Sequence, residues 1–353
     1  MKWCDRFQCF LNNAATGARR SVSELAENRS TVGSRAQLFV EWPASADVAL
    51  GDRFDRGRAP HASMIVLVVF WGLAFVAIKQ ALAHMSWITL TFLRFATADA
   101  FFLAHLIWSR QIRTPPPRKD LPIMLLLAFF GFTGYHLFLN LGETDPSVTA
   151  GTAALIIASA PAFIALFAIP LLKERLRTLQ LVGIVLAFIG LAVMIFLARP
   201  ESAYQFRASE GALAVVPPAI FTALYSVLGK NYLRRYPPFT FVAWTLLLGT
   251  LLLVPLVLAT SGGLLGDLAT MGVAGWMPVL YLGVFPTFVG YGIWFRALAR
   301  LPAASAGAYI YASTLVAVLG GIEILGETIT LATLVGGGMV ILGVVLAQHL
   351  GKR

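Results

Sequence analysis

From about residue 60 onward the chain is a succession of apolar stretches, each roughly twenty residues long, and that pattern permits very few folds. A helix needs about 20 apolar residues to cross a hydrocarbon layer about 30 Å thick. Windows of that kind fall at 62–81, 88–109, 122–141, 148–172, 178–198, 211–230, 238–260, 272–297, 303–325 and 330–350, here called segments 1 to 10. Lipid offers the backbone no hydrogen-bond partners, so only helices or closed barrels can span it. Barrel strands alternate apolar and polar residues, whereas these windows are apolar on every side, which selects helices. With 58% hydrophobic and 12% charged residues, the chain also lacks the polar surface that a water-facing globule of this size needs.

The net charge of +10 is distributed unevenly. Arg53, Arg56, Arg58, Arg110, Arg113, Arg118, Lys119, Lys173, Arg175, Arg177, Lys230, Arg234, Arg235, Arg296, Arg300, Lys352 and Arg353 all fall on one side of the implied membrane. The other side holds Arg199 and Arg207, with Lys79 at a helix end. Basic loops stay on the cytoplasmic side, so both termini are expected there, in a multi-pass protein of the plasma (bacterial inner) membrane. The positive charge therefore has a topological meaning, and nucleic acid is not an expected partner; the lipid bilayer is. Cys4 and Cys9 lie in the expected cytoplasmic tail, where thiols stay reduced, so neither a disulfide framework nor a structural metal is expected.

Residues 1–60 are rich in charge and lack a sustained apolar period, which reads as a disordered cytoplasmic tail. The competing reading is a mis-assigned start, with translation beginning at Met64. The connections between segments are short, so no soluble domain is expected among them.

An internal repeat divides the remainder into 61–199 and 208–350. Gly134-Tyr135, Pro146 and Ala150-Gly151 recur 156 residues later as Gly290-Tyr291, Pro302 and Ala306-Gly307. Glu174, Gly183 and Gly190 recur 153 residues later as Glu327, Gly336 and Gly343. Five segments per half is an odd number, so the second half must enter the membrane upside down. The expected fold class is thus an all-α integral membrane protein whose ten transmembrane helices form two inverted five-helix repeats, an arrangement that in carriers places the substrate near the midplane.

WGLAFVAIK (71–79), LRF (93–95), SAPAFIALFAIPLLKERLRTLQLVG (159–183) and GETITLATLVGG (326–337) together resemble the drug/metabolite transporter superfamily, in its EamA type with two five-helix repeats. That resemblance implies an inner-membrane carrier, often an exporter, for small organic solutes such as amino acids.

Ionisable residues in hydrocarbon are costly and usually face a bundle interior or a wet cavity. In segment 3, Thr133, His136, Asn140 and Glu143 form one helical stripe, which either lines a cavity or bonds neighbouring helices. Arg94 in segment 2 points away from Asp99 and needs a partner on another helix. Lys79 either snorkels to the interface or attracts a substrate carboxylate. Aromatic stripes in segments 8 and 9, with Tyr225 in segment 6, supply apolar walls. The candidate cavity-lining, substrate-binding residues are Trp71, Phe75, Lys79, Arg94, His136, Asn140, Tyr225, Tyr291, Tyr309 and Glu323. Pro161, Pro217, Pro218 and Pro286 are expected to interrupt segments 4, 6 and 8. Gly183, Gly190, Gly336 and Gly343 suit close helix packing, as scaffold or as homodimer contacts. Glu174 and Glu327 precede Thr178 and Thr330, expected helix caps.

No GxxxxGK[ST], HExxH or GxSxG sequence is present, so no nucleotide cofactor, metal or catalytic group is expected. The function expected is secondary transport of a small molecule by alternating access, with export as the direction. The alternatives are an intramembrane enzyme, or a non-transporting sensor or accessory subunit.

Overall fold

The computed structural model describes residues 59–113, 115–172, 178–197, 209–229, 232, 235–300 and 303–349. Residues 1–58 of the expected tail, Glu174, Arg199 and Arg207 lie outside them. Helices form throughout, and among the described residues there is no strand.

Segments 1 and 2 are α1 (Ala59–Leu82) and α2 (Trp87–Trp108). Ser86 caps α2 by accepting the Thr89 N–H at 3.2 Å. Segment 3 comprises α3 (Leu121–Ala128), a π-helical stretch Phe129–Thr133, and α4 (Gly134–Glu143). Segment 4 is α5 (Ala150–Ile157) and α6 (Ala160–Leu172), and segments 5, 6 and 7 are α7 (Thr178–Leu197), α8 (Glu210–Gly229) and α9 (Pro238–Ala259). A short α10 (Ser261–Thr270) occupies the next connection. Its Asp267 carboxylate accepts the Ser86 N–H at 3.0 Å, fixing the start of α2. Segment 8 repeats the plan of segment 3, with α11 (Gly272–Leu282), a π stretch Gly283–Val289 and α12 (Gly290–Arg300). Segments 9 and 10 are α13 (Ala303–Leu325) and α14 (Leu331–His349).

Seven spans among the described residues are long and apolar enough to cross a membrane, and three shorter apolar helices, in segments 4, 9 and 10, complete the ten. The fold is an all-α integral membrane protein. Large apolar side chains such as Ile65, Leu251, Leu258 and Leu331 are exposed on the outside of the bundle, as a lipid-facing surface requires.

The inversion is visible where α7 meets α14, the most extensively packed helix pair. A Cβ on Gly343 would meet the Gly183 carbonyl at 2.5 Å, and one on Gly336 would meet the Gly190 carbonyl at 2.7 Å. Rising numbers on α7 therefore face falling numbers on α14, so the helices are antiparallel. Gly183 is the repeat counterpart of Gly336, and Gly190 of Gly343. The two contacts thus exchange under the repeat operation, which is what a pseudo-two-fold axis between inverted halves does. These four glycines are engaged within the chain.

The prolines act differently from expectation in one segment. α8 runs unbroken through Pro217 and Pro218. Segment 4 breaks as expected, at Ala158–Ser159, within the turn preceding Pro161 where the proline ring and its missing N–H disfavour a continuous helix, and Pro161 itself sits in the first turn of α6, where a missing N–H leaves nothing unsatisfied. Pro286 does lie within a distortion, the π stretch of segment 8. Both π stretches immediately precede the repeated Gly-Tyr pair. The wider turn loosens the regular backbone pairing, and side chains compensate. Thr287 Oγ1 donates to Leu282 O at 2.7 Å. Gly283 allows α2 to come close, since a Cβ there would meet Thr97 at 2.6 Å.

Candidate functional site

Polar groups buried between the segments converge on α2, α4 and the segment 8 π stretch. Thr133, His136, Asn140 and Glu143 are all at most 3% exposed, so the stripe faces inward as its spacing implies. Most of it reaches other helices: Thr133 donates to Gly249 O at 2.8 Å and Asn140 Nδ2 donates to Thr91 Oγ1 at 2.8 Å. His136 Nδ1 lies 3.0 Å from Phe132 O, with its ring against Phe95 and Tyr135 at 4.9 and 4.7 Å. Glu143 is different. Both of its carboxylate oxygens are buried without a hydrogen-bond partner, as is Asn140 Oδ1.

Arg94, 4% exposed, donates from Nε to Thr287 Oγ1 at 2.9 Å. Sequence reasoning asked for a partner on another helix and left it unnamed. The only local signal for Thr287 was a hydroxyl beside a proline in an apolar segment. Tyr291, Tyr135, Glu143 and Tyr281 are the electrostatic neighbours of Arg94. Asp99 points to α9, where Thr250 donates to it at 2.5 Å.

Lys79 neither snorkels nor stands free. Its ammonium donates to the carbonyls of Glu143 at 2.8 Å and Asp145 at 3.1 Å, closing the C-terminus of α4 with a cation, the favourable sign for that end of a helix dipole.

The aromatic candidates form a chain of rings. Trp71 donates from Nε1 to Pro286 O at 3.0 Å and packs against Tyr291 at 5.9 Å and Trp294 at 5.2 Å. Tyr291 meets Phe132 at 5.1 Å, and Phe132 meets Tyr225 at 6.0 Å. Tyr225 lies flat against Gly131, where a Cβ would come within 2.6 Å of its ring. Tyr309 shares a narrow apolar crevice with Leu67, Val68, Trp71 and Trp294. Phe75 is buried in the apolar core beside this group.

Glu323 is not gathered with the others. It shares a helical face with Tyr309, yet it stands fourteen residues, about 21 Å, further along α13, where it is exposed.

Opposite the basic loops lies a cavity of about 250 Å³ lined by hydroxyls of Ser147, Thr149, Thr152, Thr330 and Thr333 together with Glu327. Thr149 and Thr330 cap α5 and α14 by accepting the N–H groups of Thr152 and Thr333 at 3.0 and 3.1 Å. Thr330 thus fills the expected role. Glu327 does not serve its own helix: its carboxylate accepts the Ala150 N–H, at 2.9 and 3.0 Å, at the start of α5. Gly326, at φ +66°, turns the chain so that Glu327 can reach across. Asp145 accepts N–H groups of Ser147 and Gly211 at 2.8 and 3.1 Å, holding the start of α8. At the basic end the halves close by Tyr236 donating to Asp120 at 2.6 Å and Thr240 donating to Gln111. Among the described residues, no cluster of three His, Cys, Asp or Glu could hold a metal.

An inverted pair of helix bundles, joined by buried polar contacts and with no loop large enough for a separate domain, defines a polytopic membrane carrier. The chain belongs to the EamA-like transporter family, whose model matches residues 60–196 and again 209–348. It is 34% identical to an uncharacterized transporter of Archaeoglobus fulgidus over 80% of this chain and 95% of that one. It is likewise 34% identical to a probable terminal-alkyne amino-acid exporter of Streptantibioticus cattleyicolor, over 82% of this chain and 94% of the relative. A probable amino-acid metabolite efflux pump of Salmonella typhimurium is 29% identical over 79% of this chain and 91% of its own length. A solved crystal structure shares the fold, with a TM-score of 0.56 at 21% identity, covering 84% of this chain and 98% of that one.

Proposed function

We propose that this transporter exports small organic metabolites of the amino-acid type across the plasma membrane by alternating access, with both termini in the cytoplasm and no catalytic step. Two relatives named for amino-acid export support the substrate class. The observation that carries the mechanism is the set of polar links joining the two halves. Trp71 to Pro286, Arg94 to Thr287, Thr133 to Gly249, Glu327 to Ala150 and Asp145 to Gly211 each have one partner in either half. Apolar contacts alone would let the halves slide over one another, whereas directional bonds define discrete arrangements between which a rocking motion can switch. The closures at Asp120–Tyr236 and Gln111–Thr240, with the hydroxyl-lined cavity at the other end, match an arrangement shut toward the basic loops.

The test is efflux of a labelled mixture of α-amino acids from proteoliposomes holding the full chain, with cysteines at the exposed positions Thr144 and Lys119 probed by an impermeant reagent in whole cells. Efflux above empty vesicles and external labelling of position 144 alone are expected. No efflux would remove the amino-acid exporter reading, and labelling at 119 alone would reverse the orientation.

A further inference from the structure

Three buried acceptor atoms lack any partner within a single turn of α4: Glu143 Oε1 and Oε2, and Asn140 Oδ1. Glu143 is 1% and Asn140 0% exposed, and neither takes part in an ion pair among the described residues. Lys79 is close to Glu143 yet spends its ammonium on backbone carbonyls. A buried carboxylate left in this state is unfavourable unless something else completes it.

The antiparallel run of α2 and α4 orders the surrounding groups by depth. Asn140 is level with Thr91, to which it donates. Glu143 lies one turn further from the basic end, and Arg94 one turn nearer to it, beside His136. Each step is about 4.5 Å along the helix axis. Arg94 uses its Nε on Thr287, and its terminal nitrogens have no protein acceptor among the described residues. Arg94 and Glu143 sense one another electrostatically but are not close enough to pair directly. An acidic and a basic side chain thus lie about two turns apart in depth on neighbouring helices, each with unused hydrogen-bonding capacity.

We infer that Glu143 and Asn140 form the receptor for a primary ammonium group of the exported solute, with Arg94 receiving its carboxylate, so that the site selects a zwitterion. This rests on the exporter reading above and names the recognition within it. An –NH3⁺ group carries three donors, the number of unused acceptors on Glu143 and Asn140. Charge-assisted bonds of this kind are short and strong in a water-poor interior. Glu143 is also an electrostatic neighbour of Glu327, which lines the 250 Å³ cavity at the end away from the basic loops. Neither Glu143 nor Asn140 lines that cavity, so in this proposal a departing zwitterion reaches its hydroxyls only as the halves rock open on that side.

The experiment measures efflux from proteoliposomes of a labelled mixture of α-amino acids, the same mixture N-acetylated, and the corresponding decarboxylated amines. Wild-type protein is expected to move the free amino acids at least about tenfold faster than the N-acetylated ones, because a site built to hold a polar group rejects analogues that cannot supply it. Glu143→Gln should erase that preference, and Glu143→Asp should restore part of it. Arg94→Lys should narrow the gap between amino acids and amines. Equal wild-type rates for free and N-acetylated solutes would overturn the ammonium receptor while leaving the carrier intact. A preference that survives in Glu143→Gln would do the same. If the wild-type protein moves none of the three mixtures above empty vesicles, the exporter reading fails and this assignment fails with it. Should Glu143→Gln not assemble, the wild-type ratio and the Asn140→Ala variant, expected to weaken the same preference, still decide.

Discussion

Replacing Gly336 by alanine would set a methyl group 2.7 Å from the Gly190 carbonyl oxygen, 2.8 Å from Met194 Cγ and 3.2 Å from the Met194 backbone nitrogen. A carbon and a carbonyl oxygen rest at about 3.3 Å or more, so α7 and α14 would have to separate locally by about 0.6 Å. A gap of that size forfeits a quarter to a half of the dispersion energy of the atoms it parts. Because two of the three blocking atoms are backbone, rotamer changes cannot absorb the insertion. Overpacking typically costs about 1–3 kcal/mol, and this site belongs near the middle of that range, at about 2 kcal/mol. That is about a thirtyfold loss in the folding equilibrium constant. Gly338, on the same helix, has nothing within 4 Å of an added Cβ, so Gly338→Ala should be neutral or mildly stabilising. The assay is denaturant-induced unfolding of the two detergent-solubilised variants beside the wild type. Equal stability of Gly336→Ala and Gly338→Ala would refute the argument that backbone proximity at this seam demands glycine.

Two other perturbations follow from the geometry. Thr287→Val removes the acceptor of Arg94 Nε and the donor to Leu282 O; it should cost about 1.5–3 kcal/mol in the same unfolding assay, because one partner is a buried cation. Burial pushes the Asp145 carboxyl up, but hydrogen bonds from Ser147, Gly211 and Ser209 outweigh it and hold the group below its ordinary value of 3.8. Stability from a depressed carboxyl is fully present above the unfolded-state value and is lost as pH falls through the folded one. Melting temperature in detergent should therefore decline below about pH 4 in the wild type, and Asp145→Asn should flatten that decline.

Much of the site was legible at the level of which side chains point inward. The stripe of Thr133, His136, Asn140 and Glu143 was readable because one helical face carries all of the polarity in an otherwise apolar segment, and the structure buries all four. The repeat was readable too, and with it the glycine seam, although its use within the chain was not distinguished from a contact between copies. Glu323 shows where periodicity fails: sharing a face with Tyr309 says nothing about whether a neighbouring helix still covers that face several turns later. Lys79 could be placed at a helix end, but its choice of the α4 carbonyls depends on how deep α1 and α4 sit relative to each other. Glu327 could be read as a structural acidic group near the start of its own helix, but that it reaches the α5 N-terminus instead depends on left-handed Gly326 redirecting the chain. The π stretches left no mark that a hydropathy pattern could carry.

The sequence by itself determined the membrane class, the number of crossings, their alternation and the inverted duplication, because each follows from local composition and from the absence of backbone hydrogen-bond partners in lipid. Only the tertiary structure decided which buried polar groups meet: Arg94 with Thr287, Lys79 with the end of α4, and the Glu143 carboxylate with no hydrogen-bond partner among the described residues. In nearly uniform apolar helices, many rotations and depths bury equal amounts of hydrocarbon surface. The pairing is therefore set by packing between distant segments, and no single segment encodes it.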